Sequence, residues 1–223
     1  MKPRLGWLLG PIAAVLMGFG AVSEAMCAEV RTGVFTYTIH NERFGEVGVY
    51  TNVVRREGAS IIVENRTEIA VRFVFVIVYY FSATSTAVWE RGRIVRYEAF
   101  TDDDGQKSKV SARADGEQVV IDGAAGRAVV PAGVYPHNPW TIGIRGARAI
   151  MSPKSGQLFP ANVSEVHNED VTHAGEILKT TTFRIDTDRQ TWVWYDRDDV
   201  PVKFVMERKR GRELLTFTLI GID

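Results

Sequence analysis

From Gly33 onward, apolar and polar residues alternate in short runs separated by clusters of turn-forming residues. The segment VFTYTIH (34–40) alternates with a period of two, which puts every second side chain on one face of a strand. EVGVYTNVVRR (46–56) and SIIVEN (60–65) follow, then GRIVRYEAF (92–100), KVSARA (109–114), EQVVID (117–122) and AVV (128–130). The pattern resumes in LKTTTFRID (178–186), QTWVWYD (190–196), VPVKFVME (200–207) and ELLTFTLIG (213–221). The separators REG, ERG, DDDG, ADG, DTDR, DRDD and KRGR supply the glycines, aspartates and charges that turns use. Many short-turned strands in sequence order predict an antiparallel meander.

One run departs from this alternation. IAVRFVFVIVYYF, Ile69 to Phe81, has a single charged residue, Arg72. It is too short for the roughly 20 residues of a membrane-spanning helix, and its β-branched and aromatic content favours a strand. Both parities are apolar: Ile69, Val71, Phe73, Phe75, Ile77, Tyr79 and Phe81 on one, Ala70, Val74, Val76, Val78 and Tyr80 with Arg72 on the other. The run therefore reads as a central strand covered on both faces, curved or bulged along its length. Arg72 must then meet a carboxylate (Glu64 or Glu68), water or a ligand head group.

The segment PAGVYPHNPWTIGIRGARAIMSPKSG (131–156) interrupts the strands. Asn138 suits an N-cap and Pro139 a first helical position, and Trp140, Ile144, Ala147 and Met151 follow at helical spacing. This predicts one short helix near 138–151. The next segment, QLFPANVSEVHNEDVTHAGE, mixes one or two short strands with loop. A two-faced apolar strand with one helix to cover it predicts an all-β fold with minor α content. Its form is a curved antiparallel sheet or half-barrel wrapped around that helix.

The first 28 residues read as an address. Lys2 and Arg4 precede the apolar stretch LGWLLGPIAAVLMGFGAV, which gives way to small and polar residues, the layout of a secretory signal peptide. Cleavage after Ala25 or after Ala28 both remain open. Residues 29–223 then form a single half-barrel domain with no further transmembrane span, exported to the periplasm. Cys27 is the only cysteine, so no internal disulfide is available. Lys plus Arg and Asp plus Glu both number 27, which leaves no net field to attract nucleic acid.

Candidate chemistry is sparse. His167, Glu169, Asp170 and His173 in HNEDVTH are metal-ligating types, but their spacing fits no zinc pattern and reads as a solvated loop. TDDDG (101–105) lacks the later ligands of a calcium loop and reads as a turn. Glu42, Glu46, Asp196, Asp198 and Asp199 fall in turns, and no nucleophile motif or phosphate loop is present. The expectation is a protein without catalytic residues, metal or cofactor. The aromatic residues remain, either as core or as ligand lining. The lining set would be Arg72, Phe73, Phe75, Val76, Tyr79, Trp140, Ile144, Trp192 and Trp194.

Three segments carry a resemblance. NERFGEVGVYTNVVRREG, HNPWTIGIRGARAIMSPKSG and WVWYDRDDVPVKFVMERKRGRELLTFTLIG resemble the opening, internal helix and closing hairpin of exported bacterial domain-of-unknown-function families 6134 and 3108. The resemblance implies a periplasmic half-barrel similar to LolA-type lipoprotein carriers, with no catalytic residues to transfer. The function expected is non-enzymatic binding or carriage of an apolar, lipid-like molecule. The alternative is a structural or protein-interaction component of the cell envelope.

Overall fold

Two series of antiparallel hairpins, joined where the first described strand pairs with the last, build one sheet. The computed structural model describes residues 30–173, 175–208 and 213–223; the leader and its cleavage site lie outside them. The first series is β1 (Gly33–Asn41), β2 (Gly45–Glu57), β3 (Ser60–Phe73), β4 (Val76–Glu90), β5 (Arg93–Asp103), β6 (Gln106–Asp115), β7 (Gln118–Gly123) and β8 (Gly126–Pro131). A segment with three short strands follows: β9 (Val134–Pro136), β10 (Ala149–Met151) and β11 (Leu158–Pro160). The second series is β12 (Asn162–His173), β13 (Glu176–Asp186), β14 (Gln190–Tyr195), β15 (Pro201–Arg208) and β16 (Glu213–Ile222).

Because β1 pairs with β16, from Phe35 opposite Ile222 to Asn41 opposite Leu215, the two series fuse into a 13-stranded curved sheet. Its free edges are β8 and β12. The inward positions of successive strands form the core, among them Tyr37, Ile39, Tyr50, Val63, Trp89, Tyr97, Ile121, Phe183, Val193, Phe204 and Phe217.

The insert between β8 and β12 packs into this core through Val134, Tyr135, Trp140, Ile144, Ile150 and Met151, all buried. Two tyrosine hydroxyls tie it and a neighbouring turn in place. Tyr195 donates to the Pro139 and Thr141 carbonyls at 3.1 Å, and Tyr37 to the Pro201 carbonyl at 2.8 Å. Gly123 allows close approach at one edge: a Cβ there would stand 2.5 Å from the Ser155 carbonyl oxygen.

Two expectations change. In place of a helix over 138–151, the insert has a 3-10 helix, Ile142–Gly146, and then strand β10. The Thr141 side chain caps that short helix by accepting from the Gly143 N–H. Gly143 and Gly146 weaken longer helical propagation, and pairing of Ala149–Met151 with both β9 and β11 gives the backbone an alternative ladder.

The second change is larger. Ile69–Phe81 is not one central strand; it reverses at Val74-Phe75, with Phe73 opposite Val76. The pairing of β2 with β3 extends only to Ile69, and that of β4 with β5 only to Phe81. Ala70–Tyr80 therefore extends past the sheet as a ribbon: at its base Val71 is buried, Tyr79 is half-buried and the Tyr80 carbonyl accepts from the Asp104 N–H at 2.8 Å, while beyond it Arg72–Val78 is exposed on both faces. Arg72 is exposed on it, while Glu64 and Glu68 pair with Arg55 and Arg66.

Candidate functional site

The insert does not fill the space enclosed by the sheet. On one side of it lies a cavity of about 540 Å³, within the range of small-molecule sites. Its floor is the aromatic cluster of Tyr50, Phe204 and Phe217, in which Phe204 and Phe217 stack at 4.2 Å and Tyr50 meets both edge-on. Ile69, Phe81 and Ala83 supply one wall, Ile150 and Phe159 of the insert another, and Met206 a third.

Polar groups gather at the rim. The Asp103 carboxylate accepts from the Tyr79 hydroxyl at 2.8 Å and from the Lys154 ammonium, linking β4, β5 and the insert. Asp188 and Arg189, in the turn after β13, stand at the same cavity. An apolar floor beneath a charged rim suits an amphiphilic molecule.

A buried polar network sits beside the floor. Asn138 of the insert accepts from the Tyr50 hydroxyl and donates to Asn52 Oδ1 at 3.0 Å; Asn65 donates to the same oxygen at 3.1 Å, and Thr67 to Asn65 Oδ1 at 3.2 Å. Burial pushes the Tyr50 hydroxyl pKa up, so the group remains a neutral donor. These bonds fix the insert relative to β2 and β3 in a core where an unpaired amide would be costly.

His137 lines the cavity, its Nε2 3.2 Å from Thr191 Oγ1. The residue is half-buried by area, and it lines the cavity wall. Burial, with the nearby Arg189 charge, lowers its pKa to about 4. The ordinary value, 6.5, applies to the unfolded chain, which therefore takes up the proton first. The associated stability is fully present above about 6.5 and is lost as pH falls toward about 4, by up to roughly 3 kcal/mol. Denaturation of wild type and His137→Gln at pH 7 and pH 4.5 should show the extra acid sensitivity in wild type alone.

A second cavity, about 440 Å³, lies on the other side of the insert, lined by Val30, Phe35, Ile61, Trp89, Tyr135, Trp140 and Val200 with Arg31, Arg56 and Arg91. Trp89 and Trp140 pack at 5.7 Å, and each indole N–H is buried without a hydrogen-bond acceptor among the described residues.

The residues expected to line one pocket are divided among five places. Arg72, Phe73, Phe75 and Val76 stand on the exposed ribbon. Tyr79 borders the first cavity, Trp140 the second, and Ile144 is core. Trp192 and Trp194 line neither. Trp194 donates to Glu169 Oε2 at 2.7 Å, with Lys203 Nζ 4.4 Å from its ring centre.

That bond, with one from His167, holds the Glu169 carboxyl below its ordinary pKa. The segment read as a solvated loop is edge strand β12, largely exposed. In TDDDG, Asp102 accepts from the Gly105 N–H at 2.8 Å, the geometry of a turn. Residues the sequence reading passed over include Tyr50, Asn52, Thr67, His137 and Lys154. Asn52 carried a usable signal, because it shares strand parity with Tyr50 and Val54 on an otherwise apolar face.

The profile of the family described as Domain of unknown function (DUF6134) matches residues 37–216. The chain belongs to that family. A crystal structure of a beta-barrel-like protein of domain of unknown function DUF1849, from Brucella abortus, is similar to it with a TM-score of 0.62 and 10% identity. The match covers 87% of this chain and 98% of the Brucella chain. At that identity the likeness is one of fold. Among curated proteins, none matches the chain.

Proposed function

We propose that this DUF6134 protein is a non-enzymatic, exported binding or carrier protein that holds a lipid-like molecule in the larger cavity. The observation that carries this reading is the roughly 540 Å³ space between the Tyr50–Phe204–Phe217 floor and the Asp103–Lys154 rim. An apolar chain would lie against the floor, and a polar head would meet Lys154 and Arg189 at the rim. Export through residues 1–28 to the periplasm, and kinship in role with LolA-type carriers, belong to the same proposal. Both are supported by the leader-like N terminus and the resemblances already described.

Native mass spectrometry of protein purified without detergent should show an added mass in the lipid range that organic extraction removes. Ala83→Trp should fill the cavity from its β4 wall and reduce binding of a fluorescent fatty acid at least tenfold, with the fold retained by circular dichroism. Wild-type protein that carries no added mass and binds no fatty acid would reject the reading. The interaction-protein alternative would use edges β8 and β12, but β12 presents Glu165, Glu169 and Asp170, charges that oppose strand addition.

A further inference from the structure

The ribbon Ala70–Tyr80 breaks the usual rule for a hairpin tip. Phe73 is 67% exposed, Val74 72%, Phe75 94% and Val76 65%, and Ile77, Val78 and Tyr80 are also exposed. Other turns of the sheet carry glycine or charge: Gly58, Arg91-Gly92, Asp104-Gly105, Gly116-Glu117 and Asp196–Asp199. Here the turn is Val74-Phe75, and Val74 holds φ at 57°, a left-handed conformation that β-branched residues strongly disfavour. An Asn or Gly would relax this turn. The sequence keeps an apolar side chain there at the expense of turn geometry.

The shape of the ribbon narrows the choice of what covers it. A protein groove covers one face of a strand or helix, but Phe73–Val78 is apolar and exposed on both faces and at its tip. It needs an apolar medium on all sides. Its base carries the exposed Tyr80, a residue type of membrane interfaces, and Arg72, the only charge on the ribbon, stands level with Ile77 on a stem long enough to reach back toward that base.

Of the ionic groups near its base, Arg66 pairs with Glu68 and Lys154 with Asp103. The ribbon continues the wall of the first cavity, where Tyr79 and Phe81 stand.

We propose that the tip Phe73–Val78 inserts into the surface of a lipid bilayer, bringing the mouth of the larger cavity to the membrane. From Ile69 to Val74 the ribbon extends roughly 15 Å, about half of a ~30 Å hydrocarbon core. Its outer strand edges carry backbone groups that hydrocarbon cannot satisfy, which limits entry to the tip, leaves Tyr80 among the head groups and has Arg72, level with Ile77, extend its guanidinium back to them. The assignment does not require the cavity to hold cargo; it rests on the ribbon alone.

The test places an environment-sensitive nitrobenzoxadiazole label on Phe75→Cys in a Cys27→Ser background. The same label on Ile220→Cys, an exposed position on β16 away from the ribbon, serves as control. With vesicles of phosphatidylcholine, the label at 75 should shift to the blue and at least double in intensity, and that at 220 should not respond. Phe75→Asp combined with Val76→Asp should lower vesicle partition at least tenfold without changing the melting temperature. Mixing in an equal part of phosphatidylglycerol should change partition less than threefold, because the ribbon carries one charge.

The label reads the tip itself and decides the matter even where residues 1–29 contribute to partition. A label at 75 that stays silent on both vesicle compositions overturns the proposal. So does a silent label together with a wild-type dimer that the double aspartate variant converts to monomer, which would make the ribbon a self-association site.

Discussion

Replacing Phe204 with alanine should lower the unfolding free energy by about 4 kcal/mol, the range for deleting a buried aromatic ring. Phe204 is almost fully buried. It stacks on Phe217, directly across from it on β16, and meets Tyr37 and Tyr50 edge-on at 5.5 and 5.2 Å. Four strands therefore share one ring, and no neighbour can collapse into the gap without leaving its own contacts. The same substitution deepens the larger cavity, since Phe204 is part of its floor. Urea denaturation should show the loss in the transition midpoint with little change in slope. A loss under about 1 kcal/mol would mean that the floor is not packed as described.

Gly48→Ala should destabilise the protein by about 3 kcal/mol or more, although it adds one methyl group. A Cβ at Gly48 would overlap the Glu68 carbonyl oxygen and crowd the Ile69 Cα, and neither backbone atom can swing aside as a side chain would. Gly48 lies opposite Ile69, where β2 and β3 stop pairing and the ribbon leaves the sheet. The substitution should therefore also raise hydrogen exchange at amides 66–80. Gly221→Ala is the matched control: its Cβ would meet nothing within 4 Å, and its effect should stay within about 0.5 kcal/mol. Equal stability of Gly48→Ala and wild type would contradict the close approach of β2 to Glu68.

The acid sensitivity assigned to His137 and the vesicle binding assigned to the ribbon concern groups that the sequence left unremarked or misplaced, and the causes differ. His137 is one histidine among four, and nothing in HNPW says that the segment will be buried beside Thr191. Only packing of the insert removes its water and moves its proton affinity. The ribbon was visible as an apolar run, but its environment was not. Apolar residues at both parities describe a strand covered on two faces and a lone hairpin covered on neither equally well. The usual arbiter is a turn residue, and Val74-Phe75 supplies none.

The sequence alone determined the meander. Alternation in β1, β2, β5, β6, β7 and β13–β16, with Asp- and Gly-bearing turns between most of them, is local chemistry with a period of two, and each hairpin follows from its own residues. Tertiary structure alone decided three things: the junction of β1 with β16, the replacement of the expected helix over 138–151 by a 3-10 helix and strand β10, and the projection of Arg72–Val78 into solvent. Each depends on which strand edge finds a partner. That is set by register between segments distant in the chain, and β2 and β5 both end before the ribbon does.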